Sequence, residues 1–137
     1  MAARIIDSEG PITLKRLSDR IARAHGFERT GKQIKSTVWG ACKRFRRYVA
    51  TPDGHKVFWP DGASPEALVP FRGLRILGES REWKEVPHPE KLWLVREMLR
   101  DDHGDPARAV AGAIGVGRVT TQVRAEISSL ARYLEAD

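Results

Sequence analysis

The 137-residue chain has a single cysteine, Cys42, and its four histidines, His25, His55, His88 and His103, are scattered without metal-ligand spacing. An intramolecular disulfide is therefore impossible, a zinc module is not expected, and a cytosolic setting is. No apolar run approaches the roughly eighteen residues that cross a bilayer. The N-terminus also lacks the apolar stretch and cleavage pattern of a signal peptide, so a soluble, cytoplasmic protein without membrane contact is expected. Catalytic signatures are missing too. The sole Gly-x-Gly, Gly115-Val116-Gly117, has no strand before it and no third glycine. There is no phosphate-binding loop with its lysine, and no serine or cysteine sits beside a histidine with a third group to orient it. The residues point to a non-catalytic protein that needs neither cofactor nor metal.

What the chain has in excess is positive charge, and that charge is uneven. Lys and Arg number 24 against 18 Asp and Glu, giving a formal charge of +6. Residues 1–60 hold 13 basic and 5 acidic side chains, a net of +8, whereas residues 61–87 hold 4 and 5 and residues 88–137 hold 7 and 8, each a net of −1. A polyanionic partner would therefore meet the first sixty residues.

The chain also repeats itself. GFERTGKQIKSTV, residues 26–38, aligns without a gap on GVGRVTTQVRAEI, residues 115–127, pairing Gly26 with Gly115, Arg29 with Arg118, Gln33 with Gln122 and Val38 with Ile127. Around the first copy, Ile5 and Ile6 end a short opening helix before the Gly10-Pro11 break, and Ile12 is extended. Thr13 is a natural N-cap for a second helix with Leu14, Leu17, Ile21 and Ala24 as its apolar stripe and Gly26 as its stop. Thr30 is expected to cap a long third helix in a capping box with Gln33. The inward face of that helix reads Ile34, Val38, Ala41 or Cys42, and Phe45, while Lys32, Lys35, Ser36, Trp39, Lys43 and Arg46 lie outward, flanked by Arg44 and Arg47. Tyr48–Thr51 and Lys56–Trp59 read as strands about a Pro52-Asp53-Gly54 turn. Residues 1–60 thus have the element order of a winged helix-turn-helix, in which the third helix enters the major groove and the hairpin touches the backbone.

Residues 61–87 read as a linker ordered in part, with possible strands at Phe71–Leu77 and Arg81–Val86 around Gly78-Glu79-Ser80. Residues 88–137 read as a second helical unit. Pro89–Arg100 forms a helix with Leu92, Val95, Met98 and Leu99 behind Trp93, and Ala107–Ile114 and Arg118–Leu134 match the earlier second and third helices, with Val123, Ile127, Leu130 and Leu134 inward. The fold class is mainly α with a small β-hairpin wing: a winged helix-turn-helix followed by a second, wingless helix-turn-helix-like repeat. The repeated Gly, Arg and Gln are assigned to turn and cap. The second copy presents Thr120, Thr121, Arg124, Ser128 and Arg132 outward and is a poor match to a DNA reader.

The string EGPITLKRLSDRIARAHGFERTGKQI, followed by a basic helix and a hairpin ending VFWP, resembles a domain of unknown function near the C-terminus of large bacterial superfamily-one DNA helicases that also carry a very-short-patch-repair-like nuclease domain. EVPHPEKL and the second GVGRVTTQV resemble the segment that follows it. The resemblance covers most of the chain and rests on glycines, caps and core positions, so it is nearly silent about chemistry. It implies a helicase-associated or defence-associated role, with any ATPase and nuclease centres in other domains of a longer protein, and it transfers no functional residue.

The candidate DNA-contacting residues are Lys32, Lys35, Ser36, Trp39, Lys43, Arg46, Arg47 and Lys56. For the cations the alternative is a merely solvated helix face, and for Trp39 it is packing on the wing or linker. Arg29 and Arg118, present in both copies, suggest a structural role such as bonding helix-end carbonyls. Cys42 is read as buried and inert. Asp101, Asp102, His103 and Asp105 resemble a metal or acid–base cluster but also suit a polar loop between helices. Duplex or branched DNA is the expected partner, gripped through phosphates with weak base selectivity because the outward face is mostly lysine. The alternative is a protein–protein or dimerisation module, with residues 88–137 and Trp83 or Trp93 as the docking surface.

Overall fold

The computed structural model describes residues 1–27, 31–45, 48–63, 67–100 and 104–135. Arg29, Thr30, Arg46, Arg47 and Asp101 to His103, singled out above, lie outside the described residues, as does the Phe45 side chain. Among the described residues the fold is mainly helical, with six α-helices and two small antiparallel sheets. In chain order the elements are α1 (Ala2–Glu9), β1 (Ile12–Thr13), α2 (Leu14–Ala24), α3 (Lys32–Cys42), β2 (Tyr48–Ala50), β3 (Lys56–Phe58), β4 (Arg75–Ile76), β5 (Glu79–Ser80), α4 (His88–Arg100), α5 (Pro106–Ala113) and α6 (Thr121–Glu135). Short 3-10 turns at Lys43–Phe45 and Trp83–Glu85 complete it.

The first core forms where three helices meet a three-stranded sheet of order β1-β3-β2. Ile5, Ile6, Ile12, Leu14, Leu17, Val38, Cys42 and Phe58 are buried together there. Ile12 pairs with Phe58 on one side of the central strand, and Tyr48 pairs with Phe58 on the other. The opening turn is tight: the Gly10–Pro11 peptide is cis, and a Cβ on Gly10 would lie 2.6 Å from the Ile6 carbonyl oxygen and 2.7 Å from Pro60. Thr13 caps α2 as its position implies, its Oγ1 accepting from the Arg16 amide. The α2 stripe ends differently from expectation, because Ala22 is buried while Ala24 is exposed. In α3 it is Cys42, not Ala41, that faces the core.

The second core gathers Leu92, Leu94, Val95, Ala107, Val110, Ile127 and Leu130 from α4, α5 and α6. Leu94 takes the place expected for Leu99, which is 39% exposed near the end of α4. The final helix starts at Thr121 rather than Arg118, with Thr120 Oγ1 accepting from the Val123 amide 3.1 Å away.

The repeated phrase accounts for matching helix ends. At the end of α2 the Phe27 amide donates to the Ala22 carbonyl (2.9 Å) and the Gly26 amide to the Arg23 carbonyl (3.0 Å). At the end of α5 the Val116 amide donates to Ala111 (2.8 Å) and the Gly115 amide to Gly112 (3.2 Å). Both bonds require the left-handed conformation, adopted by Gly26 at φ 82° and Gly115 at φ 78°. The capping box expected for Gln33 pairs it with Thr30, which lies outside the described residues. Gly31 is the N-cap of α3 and makes no side-chain bond, which leaves Gln33 at the second helical position, one residue short of a capping box.

The connecting segment is more structured than its proline content suggests. Strands β4 and β5 pair Arg75 with Ser80 and Ile76 with Glu79, so the turn is Leu77-Gly78 and not Gly78-Glu79-Ser80. The expected strand Arg81–Val86 is instead a 3-10 turn closed by a Glu82–Glu85 capping box.

A buried ionic network locks this segment to both cores. Glu9, Arg16, Arg81 and Glu90 are each at most 4% exposed. Arg16 donates Nε to Glu9 (3.0 Å) and Nη1 to the Ser80 carbonyl, tying α1 and α2 to β5. Arg81 donates to both oxygens of Glu90 at 2.7 and 2.9 Å. Arg72 joins the two ends, donating to Glu90 (2.8 Å), to the Pro11 carbonyl (2.9 Å) and to the Glu9 carbonyl. Burial alone would push the Glu90 carboxyl up, but hydrogen bonds and charge from Arg81 and Arg72 outweigh it and hold the carboxyl below the usual range.

Two expected outcomes follow from these contacts. Replacing Glu90 by Gln strands the buried Arg81 guanidinium and the half-buried Arg72 and should destabilise the protein by about 3–5 kcal/mol in urea denaturation at pH 7. Because the folded carboxyl titrates below its ordinary 4.5, its contribution is complete above that pH and fades as the pH falls through the folded value. The gap between parent and variant should therefore narrow on acidification below 4.5. At the β4–β5 turn, Leu77 holds φ 54° and is 63% exposed, a strained conformation with nothing packed to retain it. Leu77→Asn should raise the unfolding free energy by about 0.5–1 kcal/mol, read from the thermal midpoint.

Candidate nucleic-acid interface

The basic surface is set by the registry of α3. Val38 and Cys42 anchor one face in the first core, and Lys32, Lys35, Ser36 and Lys43 are all exposed. Positions 32, 36, 39 and 43 follow at helical spacing, so they form one stripe. Among the described residues no carboxylate pairs with Lys32, Lys35, Lys43 or Arg44. The turn Lys43–Phe45 continues the basic run as far as Arg44.

Trp39 settles where the stripe meets the β2–β3 hairpin. It is half-buried, packing edge-on against Tyr48 with ring centroids 4.9 Å apart and against Phe58 at 6.3 Å. The Lys56 ammonium sits 4.8 Å above its ring. The packing role foreseen as the alternative for Trp39 is thus present, and it places Lys56 of the hairpin beside the lysines of α3. Of the eight singled-out side chains, Lys32, Lys35, Ser36 and Lys43 are exposed along α3 and the turn after it, and Lys56 is the one in contact with Trp39, while Arg46 and Arg47 fall outside the described residues.

The hairpin tip leans toward the second half of the chain. Val49–Pro52 and Trp59 line a cavity of about 340 Å³ with His88, Pro89, Leu92 and Tyr133. Burial pushes the His88 imidazole down, against the opposing charge of Asp53. Burial likewise pushes the Cys42 thiol up, away from nucleophilic character.

Residues read as possible sites elsewhere have other partners. Asp105 caps α5 through the Arg108 amide and grips Arg124 of α6 with both oxygens, at 3.0 and 3.1 Å. The Arg124 hydrogen bond holds the Asp105 carboxyl below its usual range. Among the described residues, no three of His, Cys, Asp and Glu are grouped as a metal ion would need. No helix among them is long and apolar enough to cross a membrane. Arg118 does not bond helix-end carbonyls: it is exposed and donates to nothing among the described residues, because backbone amides already satisfy those carbonyls. Trp83 and Trp93 are half-buried against the second core, and Trp83 Nε1 donates to Glu126 at 2.9 Å, so neither builds an exposed apolar patch.

The charged residues missed in the sequence are Glu9, Arg16, Arg72, Arg81 and Glu90. Nothing in their spacing reveals them, since the contacts between Arg16 and Ser80 and between Arg72 and Glu9 span more than sixty positions.

Residues 1–36 match the model of a family described as "Protein of unknown function (DUF3320)". The match takes in α1, β1, α2 and the start of α3, and its description names no activity. No curated protein matches the chain, and no solved structure does.

The aromatic contact gives a direct check. Trp39→Ala should lower the unfolding free energy by about 2–3 kcal/mol, less than the ~3–5 of a fully buried ring. Trp39→Phe should retain most of it. Amide exchange within β2 should accelerate in the alanine variant alone.

Proposed function

We propose that this protein is a non-catalytic nucleic-acid-binding module that grips duplex DNA through its phosphates. The observation that carries the proposal is the lysine stripe of α3, which pairs with no carboxylate among the described residues and meets Lys56 of the hairpin at Trp39. From Lys32 to Lys43 the stripe runs about 16 Å, and a helix of this kind fits a major groove about 12 Å wide. On this reading residues 1–60 are a winged helix-turn-helix, with α3 in the groove and Lys32, Lys35, Ser36, Lys43, Arg46, Arg47 and Lys56 against the backbone. Residues 61–87 are the linker, and residues 88–137 are a wingless copy of the helix-turn-helix. The matching bonds at the ends of α2 and α5, and the starts of α3 and α6 at equivalent positions of the repeated phrase, support the duplication. The resemblance to the region near the C-terminus of bacterial helicases supports a reading in which the module works in the cytoplasm beside DNA-processing domains, with branched or unwound DNA as its ligand.

A protein-docking role for residues 88–137 is the second reading. It draws less support, because Trp83 and Trp93 are occupied by the chain's own second core.

Fluorescence anisotropy of labelled duplex, forked and single-stranded DNA over a salt series tests the proposal. Duplex binding should show a log–log salt slope of about −4 to −5, and a Lys32, Lys35 and Lys43 triple alanine variant should flatten it by about 2 to 3. Absence of binding at low salt, or equal binding by the variant, would sink the reading and turn attention to protein partners.

A further inference from the structure

Residues 88–137 net −1, yet their charge is not evenly spread. An open cavity of about 590 Å³ lies between the end of α5, the turn that follows and the first turn of α6. Arg108, Arg118 and Arg124 line it, together with Ala111, Gly112 and Gly117. The small residues leave the space: a Cβ added to Gly112 or Gly117 would meet nothing within 4 Å. No carboxylate among the described residues pairs with Arg108 or Arg118. Arg124 is held in place by its two bonds to Asp105, which is not itself in the cavity lining. Three arginines thus line one concavity, and among the described residues Asp105, bonded to Arg124, is the one carboxylate paired with any of them.

We propose that this cavity is a second anion site, which takes a phosphate group between Arg108 and Arg118 with Arg124 as the fixed third donor. Guanidinium groups suit this ligand because their planar N–H forks match phosphate oxygens two at a time. Arg118 has no role at the helix end, and Arg108 extends from α5 into solvent, so both are free to turn onto the anion. The site is separate from the α3 surface and stands or falls independently of it. Two sources carry the same chemistry, a free phosphate or diphosphate and the phosphodiester backbone of a nucleic acid.

The test uses the whole chain and sodium pyrophosphate at constant ionic strength, followed by amide NMR. The Gly112 and Gly117 amides should shift saturably while Gly40 on α3 stays still. An Arg108→Ala/Arg118→Ala double variant should bind at least tenfold more weakly. Both side chains are exposed, so that variant should keep the parent's melting temperature. Gly112→Leu keeps every cation but fills the space, and it should weaken binding to a similar degree. A saturable shift that survives either variant, or no saturable shift in the parent, overturns the site. With the site established, a duplex anisotropy titration distinguishes the sources. A salt slope flattened by about 2 in the double variant assigns the cavity to a phosphodiester, and an unchanged slope assigns it to a free phosphate.

Discussion

Glu9 and Glu90 are the pivots of this structure. Each is a carboxylate taken out of water near the start or end of a helix, and each is held by two arginines brought in by other elements. A carboxylate in such a place is tolerated only when its oxygens are fully engaged. That condition fixes the path of the connecting segment. Arg72 must reach back to the Gly10–Pro11 turn, Arg81 must fold onto Glu90, and Arg16 must donate to the carbonyls of β5. The two apolar cores could each form around their own helices, but the ionic network is what sets one against the other.

The same constraint separates structural charge from available charge. Arg16, Arg72 and Arg81 contribute to the basic composition but are consumed inside the fold. The lysines of α3 are not, because Val38 and Cys42 commit the opposite face of that helix to the core. Trp39 then serves as the joint between helix and hairpin, packing edge-on against Tyr48 and Phe58 while supporting Lys56. The proposed DNA surface depends on that joint, since without it Lys56 would have no fixed relation to α3. In residues 88–137 the accounting is reversed: a net charge of −1 hides a local cluster of three arginines, while Glu90 and Glu126 are occupied by Arg72, Arg81 and Lys91.

Much of the fold was legible because it rests on local rules. Thr13 caps α2, Gly26 and Gly115 end their helices in the left-handed conformation, and Pro52-Asp53-Gly54 turns between β2 and β3. Each of these depends on a few neighbouring residues. The errors fall where a choice of one position depends on distant packing. Ala22 rather than Ala24, Leu94 rather than Leu99, and Thr121 rather than Arg118 as the start of α6 are shifts within an element correctly recognised. At the start of α3 the cap position falls to Gly31.

By itself, then, the sequence determined the six helices and the β2–β3 hairpin, the two helix ends shared by the repeated phrase, and the outward direction of the α3 lysines, because periodicity and turn chemistry act over fewer than about ten residues. Only the tertiary structure decided which charges are spent. Arg16 sits in a helix that reads as amphipathic and solvated, and nothing within ten residues announces the β5 carbonyls it will meet. Arg118 reads as structural because it recurs, yet the backbone had already satisfied the carbonyls it was expected to bond. Whether a charged side chain is a strut or a free contact depends on partners brought from far along the chain, and that pairing is settled by burial, not by spacing.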